Sequence, residues 1–181
     1  LTGGTTITIA SGQTSGTATV AAPTEDPYID AGTTSRSITA ITGGTTFESL
    51  VFNTAAATTT VPDTTDVTTV NLSATPTVSE GGTITYTATL TNTATNAVTV
   101  TLTGGTTITI ASGQTSGTAT VAAPTDDPYI DAGTTSKSIT AISGGTTFES
   151  LVFNTAAATT TVPDTINVTT VSLSATPTVS E

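Results

Sequence analysis

Thr83-Ile84-Thr85-Tyr86-Thr87-Ala88-Thr89-Leu90 alternates threonine with an apolar side chain at every step. On extended chain successive side chains point to opposite faces, so Ile84, Tyr86, Ala88 and Leu90 share one face and the threonines the other. This is the pattern of a strand with one face in a core and one in water. Threonine supplies 55 of the 181 residues, and Ala, Val, Ser and Ile supply much of the rest. Thr, Val and Ile carry a branched Cβ that packs well on a pleated surface and is stiff in a helix. No window shows amphipathic spacing with period 3.6, so the chain reads as all-β.

Outward from that stretch, Pro and Gly clusters divide the chain into further short strands. A strand over 67–79, bent near Pro76, precedes it. A strand over 97–103 follows, with Val98, Val100 and Leu102 inward, and then strands over 106–111, 117–123, 134–142 and 148–162. About seven short strands within about 100 residues predict an immunoglobulin-like β-sandwich. Aromatic residues are only 4% of the chain. A core built largely from Val, Ile and Ala gives a domain of this size a thin margin of stability, so a further source of stability, such as bound ions, is expected.

The sandwich pattern is repeated. Residues 1–80 recur as 102–181, an offset of 101 residues, with six differences: Glu25 becomes Asp126, Arg36 becomes Lys137, Thr42 becomes Ser143, Thr65 becomes Ile166, Asp66 becomes Asn167 and Asn71 becomes Ser172. A period this long is the size of one domain and too long for a solenoid unit. Pro62-Asp63-Thr64-Thr65-Asp66 and Pro163-Asp164-Thr165-Ile166-Asn167 read as linkers. The expected organisation is therefore the C-terminal part of one repeat over 1–66, a complete repeat with its linker over 67–167, and the first strand of another over 168–181. Such a chain is expected to be a window on a longer array. Near-identical domains in tandem suit a spacer, in which length and stiffness are the product.

The chain has no Cys, His, Met or Trp. A disulfide framework, a thiolate or imidazole metal site and a His-based triad are thereby excluded. The net charge of −11 opposes binding to nucleic acid, which requires Lys and Arg to displace counterions. It also disfavours anionic membrane surfaces. No signal peptide is evident, and no apolar run approaches the length of a membrane span, so direct membrane insertion is not expected. Gly104-Gly105-Thr106 and Gly144-Gly145-Thr146 lack the Lys and following helix of a phosphate loop and read as turns. Paired carboxylates occur without a basic or nucleophilic partner, so no catalytic constellation is present.

The acidic residues fall in a pattern. In an antiparallel sandwich the loops alternate between two poles. Glu80, after the first strand, Asp126, Asp127 and Asp131, after the fifth, and Asp164, after the seventh, are expected at one pole. Glu25, Asp26, Asp30, Asp63 and Asp66 repeat the pattern in the first copy. Glu149 opens the seventh strand at the opposite pole and is expected to face an incoming linker. Crowded carboxylates repel unless neutralised. Several hard oxygen ligands from one loop, joined by others from remote strands, suit Ca²⁺, which takes 6 to 8 oxygens in flexible geometry, better than Mg²⁺. Tyr129, between Pro128 and Ile130, is expected to pin the acidic loop onto the sandwich.

The run Val78-Ser79-Glu80-Gly81-Gly82, the stretch over 107–117 and the stretch Ala123-Pro124-Thr125-Asp126-Asp127-Pro128-Tyr129-Ile130-Asp131 together resemble the immunoglobulin-like extender repeats of giant bacterial biofilm adhesins. These are the RTX adhesins exported by type I secretion, which include LapA-like proteins and ice-binding adhesins. The pattern is also distantly similar to Calx-β repeats. The resemblance implies a stalk outside the cell, on the bacterial surface, that projects adhesive domains which themselves bind the target. It implies neighbouring identical repeats and Ca²⁺ as partners, with Ca²⁺ stiffening the string, and no catalysis. Asn167 departs from Asp66 at the second linker and brings less charge to any ion there. Two other readings compete: a Ca²⁺-dependent carbohydrate- or protein-binding module, and a filament subunit that exchanges strands. A pole occupied by the next repeat favours the stalk over the module.

Overall fold

The computed structural model describes residues 1–30 and 32–181. The chain forms two compact units, Leu1–Asp66 and Val67–Glu181. Among the described residues there is no α-helix, and apart from a short 3₁₀ turn over Thr2–Gly4 the regular structure is β.

In the first unit, β1 (Gly32–Arg36) and β2 (Ala57–Val61) pair antiparallel, from Gly32 opposite Val61 to Arg36 opposite Ala57. The second unit contains β3 (Val67–Ala74), β4 (Thr83–Leu90), β5 (Val98–Leu102), β6 (Thr107–Ile110), β7 (Ser116–Ala122), β8 (Gly133–Lys137), β9 (Ile139–Gly144), β10 (Ser150–Phe153) and β11 (Ala158–Val162). One sheet has the order β10-β3-β4-β7 and a second has the order β6-β5-β9, while β8 and β11 form a separate pair. All neighbours are antiparallel except β10 and β3, which run parallel. The inner faces of the two larger sheets meet in a core containing Val70, Ile84, Tyr86, Ala88, Val98, Val100, Ile108 and Ile110, all fully buried. The alternation over 83–90 and 98–102 therefore faces the core as the sequence predicts, and the fold is an immunoglobulin-like sandwich.

The sixth and seventh strands, expected to be continuous, are each broken in two. Ser138 separates β8 from β9, and residues 154–157 separate β10 from β11. Each break lets one strand serve two partners: β8 pairs with β11 while β9 pairs with β5. At the second break, the Asn154 amide donates to Val70 O at 2.9 Å, and Asn154 Oδ1 accepts from the Ala156 amide at 3.0 Å. The first strand also changes partners. Pro76 has no N–H to give to a ladder, and β3 ends at Ala74. Beyond it the chain lies along β11: Pro76 O accepts from the Thr161 amide at 2.9 Å, and the Val78 amide donates to Thr161 O at 3.1 Å.

The alternating strand directions place the ends of β3, β7 and β11 at one pole. Gly81, with φ of +69°, turns the chain there, and its amide donates to Pro124 O at 2.7 Å. This bond draws the turn after β3 against the loop after β7.

Candidate metal centre at the acidic pole

Three carboxylates meet at this pole. Glu80 follows β3, Asp131 precedes β8 and Asp164 follows β11, and one oxygen from each lies within 4.8 Å of the others. Glu80 is 7% exposed, so its charge is largely withdrawn from water. Its Oε2 accepts from the Thr165 amide at 3.1 Å and from Thr165 Oγ1 at 3.3 Å. A hydrogen bond shared with Asp131 holds the Glu80 carboxyl above its ordinary value; loss of solvent and the charge of Asp131 push the same way, and the bonds from Thr165 oppose them. Asp164 Oδ1 is buried and has no hydrogen-bond partner among the described residues. A buried carboxylate oxygen without a donor is costly and calls for a proton, a water or a cation.

The other acids of the pole play different parts. Asp126 Oδ1 accepts from the side chain of Asn167 at 2.8 Å and from Thr165 Oγ1. Asp127 Oδ1 accepts from the Tyr129 amide at 2.8 Å, closing a turn within its own loop, and Asp127 O accepts from Asn167 Nδ2 at 2.9 Å. Tyr129 does not pin the loop: it is 73% exposed, and Ile130 is 93% exposed. The turn made by Asp127 holds the loop in place of the aromatic ring. Tyr129 and Ile130 instead line a shallow recess with Asp164, Ile166 and Asn167. Glu149 is half-buried just before β10, at the opposite pole.

The first unit carries the same motif. Glu25, Asp30 and Asp63 line one recess, and the Asp30 amide donates to Asp63 Oδ2 at 3.4 Å. Loss of solvent, a hydrogen bond with Asp63 and the charges of Asp26, Asp63 and Glu25 raise the Asp30 carboxyl above its ordinary value. Asp26 Oδ1 accepts from the Tyr28 amide at 2.9 Å, as Asp127 does from Tyr129. Asp66 is exposed at the end of the unit.

The donor set is all oxygen, and its spacing fits a hard cation. Ca–O distances of about 2.3–2.6 Å put opposed ligands about 5 Å apart, close to the spread of the three carboxylates. Thr165 was not foreseen as part of the site. With threonine at 55 positions of 181, one more in a linker carries no signal. What marks it is its place directly after Asp164.

A sandwich in the second unit, within a sequence that repeats and gathers acids after its strands, is the architecture of a modular repeat. A family model for the LapA domain matches residues 1–64 and 66–165, one match on each copy. The chain belongs to the LapA domain family: it is a repeat related to biofilm adhesins, from a family that is in general non-enzymatic and is associated with the cell surface or the extracellular space. No curated protein and no solved structure matches the chain. Among the described residues no helix is long and apolar enough to cross a membrane.

Proposed function

We propose that the chain is part of the extracellular stalk of a large adhesin, an extender whose acidic poles bind Ca²⁺ and thereby stiffen the junctions between repeats. The observation that carries this reading is the group Glu80, Asp131 and Asp164, in which Asp164 Oδ1 is buried without a donor. Glu80, Asp131 and Asp164 would hold the ion in the second unit, with Asp30, Asp63 and Glu25 as the counterparts in the first. The ion supplies the positive charge that lets these carboxylates stay ionised together; no reaction follows from it. Tyr129, Ile130 and Ile166 are exposed beside the carboxylates and offer a neighbouring repeat an apolar surface. A junction that combines an ion with an apolar contact resists bending more than either alone. The adhesion target is left to other domains.

Calorimetric titration of the chain with Ca²⁺ at neutral pH tests the site. Asp164→Asn should weaken binding on the order of tenfold or more, because ligand charge sets the affinity of such sites. Mg²⁺ should bind more weakly than Ca²⁺. Equal affinity in the wild type and Asp164→Asn would remove the second unit's pole from the account.

A further inference from the structure

β7 lies at the edge of its sheet. It pairs with β4 from Thr83 opposite Ala122 to Thr89 opposite Ser116, and no strand lies on its other side among the described residues. The Leu90 amide donates to Thr115 O, and the Ala123 amide donates to Gly82 O. These two bonds fix the phase of the ladder. Gly117, Ala119 and Val121 turn their backbone groups to β4, while Ser116, Thr118, Thr120 and Ala122 turn theirs outward. The same four residues are exposed.

Sheet edges are ordinarily guarded by charge, by a bulge, by shortness or by a cover. The other edges of the second unit follow that rule. β6 and β10 have four residues each, and β8 carries Lys137. β9 meets β5 with a break in register after Thr101, and residues 76–78 lie along β11. β7 has seven residues, with no charge and no proline among them.

β7 also complements itself. Two copies laid antiparallel about Ala119 set Thr118 opposite Thr120 and Ser116 opposite Ala122, so that outward donors meet outward acceptors. Threonine then pairs with threonine on the watered face, a favourable cross-strand pair. Charge selects the antiparallel sense. It sets each acidic pole beside its partner's opposite pole, where the loops over 91–97 and 111–115 carry no charge. A parallel pair would bring acid against acid.

We infer that β7 is a self-recognition edge through which two copies of this chain join antiparallel, so that the sheet β10-β3-β4-β7 continues into its partner. In the proposed stalk this joins stalks that approach from opposite directions, as from two facing cells. That setting rests on the stalk reading; the edge itself does not. Residues 15–21 repeat the heptapeptide unchanged, so the motif recurs along the array and weak contacts can add.

Sedimentation velocity of the full 181-residue chain in chelator, from micromolar to millimolar concentration, tests the inference together with amide hydrogen exchange. A reversible dimer is expected. As it forms, the Thr118 and Thr120 amides should gain protection by about tenfold or more. The amides of Gly117, Ala119 and Val121, bonded to β4, should be protected at every concentration and report that the sandwich is folded. Thr120→Pro removes an outward N–H and none from the β4 ladder. Thr118→Lys puts a charge on the edge. Each should raise the dimer dissociation constant about tenfold or more, whereas Thr107→Lys, which adds the same charge to β6, should leave it unchanged. A chain that stays monomeric at millimolar concentration overturns the inference. So does a dimer that persists in Thr120→Pro with the Thr118 amide unprotected. Because chelator is present throughout, failure of the calcium-stiffened stalk would leave this result standing.

Discussion

Tyr86 is fully buried in β4, and its hydroxyl has no hydrogen-bond partner among the described residues. Burial pushes its ionisation above the ordinary value of 10.0. An unpaired hydroxyl in an apolar core costs about 1–3 kcal/mol, while the ring itself is favourable. Tyr86→Phe keeps the ring and removes the cost, so denaturant unfolding should show a gain of about 1 kcal/mol. A loss would mean that the hydroxyl has a partner such as a buried water. Glu80 is a second residue whose environment works against its charged form. Because its folded pKa is raised, the folded chain holds more protons than the unfolded chain just above the ordinary value of 4.5. Stability from the Glu80–Asp131 pair is thus present at acid pH and lost as pH rises through the folded pKa. In chelator, wild type should melt below Glu80→Gln at neutral pH, and the gap should close on acidification. In Ca²⁺ the order at neutral pH should reverse, since Gln brings no charge to the ion. The acids themselves were legible, because loops of alternating direction assign them to a pole. The division of labour among them was not. Asp127 spends its carboxylate on a turn, and no spacing rule distinguishes it from Asp126 or Asp131.

The strands of the second unit follow from alternation and from branched side chains, and the seven the sequence predicts cover all nine observed, β3 to β11. Their breaks do not. Nothing about Ser138 marks the point where β8 ends and β9 begins; that break is set by two different neighbours, β11 and β5. The heptapeptide Ser116–Ala122 makes the same point. It forms β7 against β4, from Thr83 opposite Ala122 to Thr89 opposite Ser116. The identical residues 15–21 of the first unit form no strand, and among the described residues of that unit no strand lies beside them. By contrast β1 and β2 form because each is the other's partner within the same stretch. Pairing partner, more than propensity, decides these segments. One turn does depend on a particular residue. Gly144 ends β9 with φ of +81°, and a Cβ there would lie 2.2 Å from Ala97 O. Gly144→Ala therefore adds a left-handed penalty of about 1–2 kcal/mol to a backbone clash, and the second unit should lose at least about 2 kcal/mol in denaturant unfolding.

Across the chain the charge is unevenly placed. Of 13 acidic residues, most lie in loops after strands or in the two linkers. The sheet faces turned to water are uncharged, with Ser73, Thr87 and Thr118 aligned across β3, β4 and β7 and Thr99 flanked by Thr109 and Ser143. These faces of the second unit's two larger sheets are thus neutral hydroxyl surfaces, and most of its acids lie at its ends. This distribution is what the proposed calcium-stiffened stalk requires of its repeats. It was readable from the repeat and the alternation together, while the hydrogen bonds of Thr165 and Asn167 needed coordinates, since they join residues 39 to 85 positions apart in the chain. The account stands on the claim that the acidic pole binds calcium. Thermal unfolding of the chain in chelator and in increasing Ca²⁺ tests it most directly, with Asp131→Ala and Asp164→Ala measured alongside. Linkage gives about 2.7 kcal/mol of stabilisation per site at a hundredfold excess over the dissociation constant. The account predicts a melting temperature that climbs with Ca²⁺ in the wild type and climbs less in either variant, which keeps only the first unit's set of acids intact. A wild-type melting temperature indifferent to Ca²⁺ would contradict it and leave the acids as a solubilising surface on a passive spacer.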